Sequence, residues 1–336
     1  MTNERTLIIA EIGVNHNGDL QLAKKLIHEA AAAGADIVKF QTFKTQNCIS
    51  KSAPLAAYQK KNVPDAKSQL EMVSSLELSE SEHFTLKAFA LQNGIDMFST
   101  AFDLESLDFL RQFNFKYIKI ASGEVTNLPL LRAIGRQRKK VILSTGMCSL
   151  GDIESALDSL ESAGAQRKDI TILHCTTEYP APASEVNLQA IETLRRCFGT
   201  AVGYSDHTMG IAIPIAAVSL GARVIEKHLT LDRSMLGPDH LASIEPDEFA
   251  AMVTAIRQVE DAMGDGIKRV TESEKKNLMV ARKSLVASRK IKRGDLFSID
   301  NVTAKRPATG ISPMLLDDVI GRQAQLDFDI DDLIVI

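Results

Sequence analysis

Three features that mark secreted, membrane-bound or nucleic-acid-binding proteins are scarce in this sequence. The four cysteines are far apart and form neither a CxxC pair nor a disulfide framework. No apolar run reaches the 18 residues of a membrane span, and no basic segment followed by an apolar one suggests a secretion signal. The net charge of −4 argues against nucleic acid and acidic membranes as partners. We therefore expect a cytoplasmic protein with reduced thiols that binds neither nucleic acid nor membrane.

What the sequence does contain is a repeated pattern of short apolar runs, each followed by a polar or charged residue. Segments with a helical period of 3.6 residues separate the runs, which predicts alternating strands and helices in a parallel sheet. In a (β/α)8 TIM barrel the catalytic groups lie at the carboxyl ends of the strands. We therefore predict an enzyme with this fold and eight strands, at residues 7–10, 37–38, 97–98, 117–118, 141–143, 170–173, 201–204 and 224–225.

The predicted domains are a catalytic barrel at 1–266, a linker at 267–283 and a small β-rich domain at 284–336. Predicted helices in the barrel cover 19–33, 104–113, 128–138, 150–163, 186–198, 211–220 and 246–263. Residues 42–78 form a long insertion after the second strand, and loops of this length are often lids or substrate loops. The last domain contains short extended pieces and a weak internal repeat between 290–297 and 328–334.

Two histidines, His207 and His228, follow the last two predicted strands and are candidate metal ligands. Neighbouring strand ends converge in a barrel, so both imidazoles can reach one ion. Two nitrogen ligands with open positions suit Mn²⁺, Co²⁺, Fe²⁺ or Zn²⁺. The alternative is that each histidine is a hydrogen-bonded residue of the barrel.

Ammonium and hydroxyl groups at the other strand ends predict a site for a small phosphorylated anion. An alternative role for Lys119 is a Schiff-base nucleophile, which needs a lowered pKa, or an ion pair with Glu11 or Glu226. Glu11 itself is a candidate general base, or else an ion-pair partner of Lys39. The residues of the predicted anion site are Lys39, Thr100, Lys119, Ser122, Ser144 and Ser205.

With these residues in place, the chain resembles the bacterial sialic acid synthase family, which makes nine-carbon nonulosonic acids from phosphoenolpyruvate. The resemblance covers nearly the whole chain, and the tail is similar to the antifreeze-like (SAF) domain of these synthases. It rests on the segments IAEIGVNHNG at 9–18, VKFQT at 38–42, FST at 98–100, KIASGE at 119–124, LSTGM at 143–147, HC at 174–175, EYP at 178–180, GYSDH at 203–207, IEKH at 225–228, GPDH at 237–240 and KRP at 305–307.

The resemblance implies that the predicted anion site binds phosphoenolpyruvate. It implies a divalent metal at His207 and His228, Mn²⁺ in the first place, with Mg²⁺ or Co²⁺ as alternatives. Glu11 would position or deprotonate water, while Gln41, Tyr179 and Asp239 would contact sugar hydroxyls. It also implies a domain-swapped homodimer, in which the SAF domain caps the partner's barrel and Arg306 reaches the N-acyl group of the sugar.

The acceptor sugar is the part of the function for which several candidates stay open. We expect N-acetylmannosamine, giving N-acetylneuraminate; the main alternative is 2,4-diacetamido-2,4,6-trideoxymannose, giving legionaminic acid, and pseudaminic acid is more distant. The chain departs from the family pattern at Thr177 and at residues 308–310, both of which lie close to sugar recognition. A Schiff-base pyruvate lyase and a non-enzymatic binding module are the rival classes; the paired histidines speak against the first and the full set of strand-end polar residues against the second.

Overall fold

The computed structural model describes residues 5–63 and 66–336, apart from the side chains of Tyr58 and Lys61. The chain divides into two compact units, Met1–Gly264 and Asp265–Ile336. Residues 1–4 and residues 64–65 lie outside the described residues. The first group begins the segment in which we expect no secretion signal, and the second belongs to the insertion. Among the helices that are described, none combines the length and the apolar character that a bilayer crossing needs.

Eight parallel strands in the first unit form the predicted TIM barrel. They are hydrogen-bonded in the order β3-β2-β1-β8-β7-β6-β5-β4, and β3 also adjoins β4, so the two edges of the sheet meet. Every predicted apolar run lies inside one of these strands, and most strands extend further into the polar residues that follow. The strands are β1 (Leu7–Gly13), β2 (Ile37–Thr42), β3 (Asp96–Ala101), β4 (Tyr117–Ile120), β5 (Lys140–Ser144), β6 (Ile170–Cys175), β7 (Ala201–Asp206) and β8 (Val224–His228).

Eleven helices of the described first unit surround or extend this barrel. Helix α1 shows how the sequence sets their ends: the Asp19 side chain accepts from two N–H groups of the first turn, and Gly34 follows the last turn with a φ of +84°. The helices are α1 (Leu20–Ala32), α2 (Thr45–Cys48), α3 (Ala57–Asn62), α4 (Gln69–Ser74), α5 (Glu80–Gln92), α6 (Leu104–Leu110), α7 (Leu128–Gly135), α8 (Leu150–Ala163), α9 (Ala190–Phe198), α10 (Ala212–Ser219) and α11 (Pro246–Ala262).

The insertion at 42–78 carries three of these short helices, α2, α3 and α4. It has a small hydrophobic cluster of its own, in which buried Val14, Phe43 and Leu76 pack with the half-buried side chains of Val73 and Phe102. This cluster is separate from the main core between the strands and the outer helices. Val14 and Phe102 follow strands β1 and β3, and Leu78 of the insertion belongs to the main core, so the insertion packs against residues at the ends of the barrel strands.

The second unit is small and β-rich, as predicted. Its elements are α12 (Glu272–Ala281), the antiparallel strands β9 (Ser284–Ala287) and β10 (Val302–Lys305), and α13 (Leu316–Val319). A single antiparallel bridge pairs Ile291 with Phe328, so the two segments of the internal repeat meet there, and a second bridge pairs Val286 of β9 with Leu333. Helix α12 occupies most of the segment that we assigned to the linker.

Candidate active site

The register of the strands collects charged side chains inside the barrel. Glu11 on β1 lies opposite Lys39 on β2 and opposite His228 on β8, and Ser205 on β7 lies opposite Glu226 on β8. Because side chains alternate along a strand, Glu226 and His228 point to the same side of β8. The polar ends of neighbouring strands therefore meet in the lumen.

Four of these residues, Glu11, Lys39, Lys119 and Glu226, form what we call the lumen cluster. Lys39 Nζ lies 2.7 Å from Glu11 Oε2 and 3.8 Å from Glu226 Oε2, and Lys119 Nζ lies 3.9 Å from Glu226 Oε1. All four side chains are buried, none more than 5% exposed. The charges of the two ammonium and two carboxylate groups compensate each other in this buried space. A single buried charge without a partner would be strongly destabilising.

Hydroxyl groups from three further strands surround the lumen cluster. Lys39 Nζ donates to Thr100 Oγ1 at 3.2 Å, and Lys119 Nζ donates to Ser144 Oγ at 2.7 Å. Ser205 Oγ donates to Glu226 Oε1 at 3.1 Å. Five of the six residues of the predicted anion site thus lie together. Ser122 is held differently, since its Oγ accepts from the N–H of Gly146 at 2.9 Å.

Burial and neighbouring charges shift the pKa values of the lumen cluster in different directions. Burial raises the pKa of Glu11 to about 7; Lys39 opposes this shift and Glu226 adds to it. Burial lowers the pKa of Lys119, with Glu226 acting in the opposite direction. For Lys39 burial is outweighed by Glu11 and Glu226, so its pKa is raised. A carboxyl group with the raised pKa of Glu11 can exchange a proton near neutral pH.

The two predicted metal ligands lie side by side at the ends of β7 and β8. The ring centroids of His207 and His228 are 5.3 Å apart, and the Tyr179 ring packs against His207 at 4.1 Å. His207 Nδ1 lies 2.7 Å from the carbonyl oxygen of Thr176. A carbonyl only accepts, so Nδ1 donates to it and Nε2 is the nitrogen left for a metal. Burial lowers the pKa of His207, but Cys175 and the Thr176 carbonyl outweigh burial and raise it to about 9, so a metal ion at Nε2 would have to displace a proton.

His228 also has the properties of a ligand. Burial, together with the nearby His207, lowers its pKa well below the usual value, so the ring is neutral at pH 7. Its Nδ1 is buried and has no hydrogen-bond partner among the described residues, the nearest carboxylate oxygen being Oδ2 of Asp239 at 3.9 Å. Within residues 5–63 and 66–336 no three His, Cys, Asp or Glu side chains form a complete metal site. The described residues thus offer two imidazoles here and no third protein ligand, so an ion held between them would need water or substrate oxygens to complete its coordination.

The three predicted sugar-contacting residues border the same lumen. Gln41 Nε2 donates to Glu11 Oε1 at 3.1 Å, Tyr179 stacks on His207, and buried Asp239 lies beside His228. Burial raises the pKa of Asp239 to about 6. Arg306 lies in the second unit, where its Nε donates to the carbonyl oxygen of Ala281 at 3.0 Å.

Glu226 is a member of the site that the sequence presented only as an ion-pair partner. It accepts from Ser205 and lies within 4 Å of both lysines, so it balances the second ammonium group. Its position two residues before His228 was the available signal, since both side chains must share one side of the strand. Behind them, Lys227 points to the other side of β8 and forms a fully buried ion pair with Asp206 at 2.5 Å.

Comparison with known families agrees with this geometry. The model of the NeuB family matches residues 26–268, and that of the SAF domain matches residues 282–335. This chain belongs to the NeuB family. The resemblance to the nonulosonic acid synthases is thereby confirmed, including the SAF domain at its C-terminus, and this NeuB protein is an enzyme of the synthase class.

Two relatives and one solved structure illustrate the relationship. This NeuB protein is 56% identical to the N,N'-diacetyllegionaminic acid synthase of Campylobacter jejuni, over 98% of this chain and 99% of the relative. It is 44% identical to the enzyme of the same name from Legionella pneumophila, over 95% and 90%. The crystal structure of an N-acetylneuraminic acid synthetase from Leptospira borgpetersenii is 35% identical, with a TM-score of 0.71 over 82% of this chain and 90% of the other.

Proposed function

We propose that this NeuB protein condenses phosphoenolpyruvate with 2,4-diacetamido-2,4,6-trideoxymannose and water to give N,N'-diacetyllegionaminic acid and phosphate. The relative at 56% identity carries this name, whereas the neuraminic acid synthetase is 35% identical. N-acetylmannosamine, the acceptor that we expected from the resemblance, is therefore the less favoured sugar. The favoured acceptor is instead the diacetamido sugar of a legionaminic acid synthase, which was the main alternative from the sequence.

The observation that carries the proposed chemistry is the lumen cluster beside the two imidazoles. Lys39 and Lys119, with the hydroxyls of Thr100 and Ser144, offer charge-assisted donors to a phosphate and a carboxylate. The aldehyde of the open-chain sugar would lie at the other side, against His207 and His228. Holding both reactants in one buried space replaces a bimolecular encounter by an oriented one.

The reaction balances with these two substrates and one water. The enol carbon C3 of phosphoenolpyruvate forms a bond to the aldehyde carbon, whose oxygen takes up a proton and becomes a hydroxyl. Water adds to C2, and the resulting tetrahedral intermediate expels phosphate by breaking its C–O bond. The Glu11 carboxylate, which lies 2.7 Å from Lys39, would accept the proton of that water.

His207 and His228 would hold the divalent cation, for which we propose Mn²⁺. When bound there, the cation supplies Lewis-acid polarisation of the aldehyde oxygen. Tyr179 covers one side of the His207 ring and keeps its orientation. The Thr176 carbonyl fixes the tautomer of the same ring.

Phosphate release tests this proposal directly. The enzyme, loaded with Mn²⁺, is given phosphoenolpyruvate and either 2,4-diacetamido-2,4,6-trideoxymannose or N-acetylmannosamine. We expect faster phosphate release with the diacetamido sugar and none after EDTA treatment. Equal or faster release with N-acetylmannosamine would favour N-acetylneuraminate as the product. No phosphate release with either sugar, from a folded and metal-loaded enzyme, would exclude the synthase reaction.

The lowered pKa of Lys119 is a property that a Schiff-base lyase would also need, so this rival requires its own test. Borohydride treatment in the presence of pyruvate traps such an enzyme as a covalent adduct. We expect no mass increase on Lys119, because its ammonium is engaged with Ser144 and Glu226. A pyruvate adduct at this residue would support the lyase.

We include in the proposal a cytoplasmic enzyme that works as a homodimer, with Arg306 contributing to the sugar site of the partner. Here the support is the family resemblance. Arg306→Ala should raise the KM for the sugar and leave the KM for phosphoenolpyruvate and the sedimentation coefficient unchanged. An unchanged KM for the sugar would contradict a role of Arg306 in the sugar site. A sedimentation coefficient typical of a monomer would contradict the proposed homodimer.

A further inference from the structure

The two proposed metal ligands lie where the backbone ladder between β7 and β8 stops. The last registered pair of this ladder is Asp206 with Lys227. His207 follows the end of β7, whereas His228 is the last residue of β8 and is registered with Glu11 on β1. The separation of the two imidazoles must therefore be set by contacts other than the ladder between their own strands.

Hydrogen bonds of the Lys227 side chain connect β7 and β8 at this point. Lys227 Nζ donates to Asp206 Oδ2 at 2.5 Å and also to the carbonyl oxygen of Thr208. Asp206 Oδ1 accepts from the N–H of Thr208 at 3.0 Å. The residues on both sides of His207 are thus tied to the residue directly before His228. We call Asp206, Thr208 and Lys227 the clamp.

The clamp is built from charged groups on the side of the sheet that faces away from the lumen, because side chains alternate along β8. The side chains of Asp206 and Lys227 are fully buried, and the Tyr204 hydroxyl donates to Asp206 Oδ1 at 3.0 Å. Replacing a buried ion pair by apolar side chains of similar volume often leaves a protein equally or more stable. Stability alone therefore does not explain the clamp, whereas its directional bonds fix the backbone around the two ligands.

We propose that the clamp positions the metal site by holding His207 and His228, whose ring centroids are 5.3 Å apart, at the separation that one divalent cation requires. A functional constellation works only when its groups are held within about 0.5 Å of the productive geometry. With two imidazoles as the only protein ligands among the described residues, no third protein ligand there could correct a displaced ring. This inference rests on the proposed function, which assigns the cation to these imidazoles.

Asp206→Asn/Lys227→Met breaks the bond between the strands and leaves no unpaired buried charge. The amide oxygen can still accept from Thr208, and the net charge near the cation is unchanged, so a change of affinity reports geometry. The Kd of Mn²⁺ is measured from the electron paramagnetic resonance signal of the free ion, and the ions bound at this site are those lost in His228→Ala. We expect the Kd to rise about 10-fold, the low end for outer partners of metal ligands, because the clamp acts through the backbone.

Two further variants separate positioning from stability. Asp206→Leu/Lys227→Met is also uncharged and keeps the test possible if the first double variant does not fold. Leu157→Ala opens a cavity in the main core on α8 and should leave the Kd of Mn²⁺ unchanged. Saturating Mn²⁺ should restore most of the phosphate release in the double variants, whereas a merely structural defect would lower it at every Mn²⁺ concentration.

The outcomes distinguish this inference from the proposed function. If the double variants bind Mn²⁺ more weakly but no sugar releases phosphate from the unmodified enzyme, the proposed reaction fails and the clamp stands. If phosphate release requires Mn²⁺ but the Kd in the double variants stays within about twofold, the reaction stands and the clamp is overturned. An equal rise of the Kd in Leu157→Ala, or an unmodified enzyme that binds no Mn²⁺, would also overturn the inference.

Discussion

The inner and outer parts of the site are built by different means. The lumen cluster lies on strands β1, β2, β4 and β8, and its positions follow from the register of the barrel. Four residues of the outer part, the cavity next to Tyr179 and Asp239, all lie outside the strands, two of them in or shortly after the short helix α4; they are Phe43, Val73, Leu76 and Phe102. The two parts therefore differ in origin, because the lumen cluster belongs to the sheet and the outer part belongs to the insertion and to residues that follow the strands.

The largest effect should come from the inner part. Lys119→Met removes a buried donor from the anion site and leaves Glu226 with one ammonium partner fewer. Removing one member of a buried charged pair costs about 2–5 kcal/mol, so kcat/KM for phosphoenolpyruvate should fall roughly 10³-fold. Lys116→Met, at an exposed lysine next to β4, is the matched control and should change it less than about twofold. Equal losses in the two variants would contradict the assigned anion site.

The rigidity of the sheet behind the site can be tested through the buried Lys227–Asp206 pair. Asp206→Asn leaves the Lys227 charge without its counter-charge, and this should lower the free energy of unfolding by about 3–5 kcal/mol in urea titrations. The double variant Asp206→Leu/Lys227→Met removes both charges and should be the more stable of the two. A double variant that is less stable than Asp206→Asn would show that the pair itself stabilises this part of the barrel.

The pH dependence of the reaction should report Glu11. A general base works in its deprotonated form, and burial raises the pKa of Glu11 to about 7. In the free enzyme kcat/KM should therefore rise with pH below about 7 and level off above it. Glu11→Gln should lower kcat/KM by about 10²–10³-fold and remove this rise. A rise that persists unchanged in Glu11→Gln would assign the titration to another group.

The smallest effect should come from the insertion. Leu143→Ala in the main core should lower the free energy of unfolding by about 2–5 kcal/mol. Leu76→Ala, the same change in the small cluster of the insertion, should cost about 2 kcal/mol, the low end of this range, since the cluster is small and the segment can collapse around the site. Equal losses in the two variants would mean that the insertion belongs to the cooperative core, and the distinction between the two parts would fail.

The inner part could be predicted from the sequence because strand ends carry local signals. Each apolar run ended at a polar residue, and parallel strands of a barrel bring those ends together whatever the intervening helices look like. Helix α8 was predicted with the bounds that the structure shows, since Ser149 caps its first turn and Gly164 follows its last. Glu11, Lys39 and Lys119 were found in this way.

The outer part could not be predicted, because it depends on contacts between distant segments. Phe43 and Phe102 are 59 positions apart and meet only after the insertion has folded. Helix α5 was absent from the predicted set for a related reason: its apolar residues include Phe84 and Leu91, which are largely exposed, so no single apolar face stands out. Patterns with a helical period identify a helix only where one face is buried and the other is not.

Because the insertion lies between β2 and α5, it can be varied in protein engineering separately from the residues of the lumen cluster. A library restricted to residues 42–78 alters neither of the two lysines, neither of the two histidines and neither carboxylate of the lumen cluster. Selection for growth on an unnatural sugar would then sample new acceptors against a constant catalytic background.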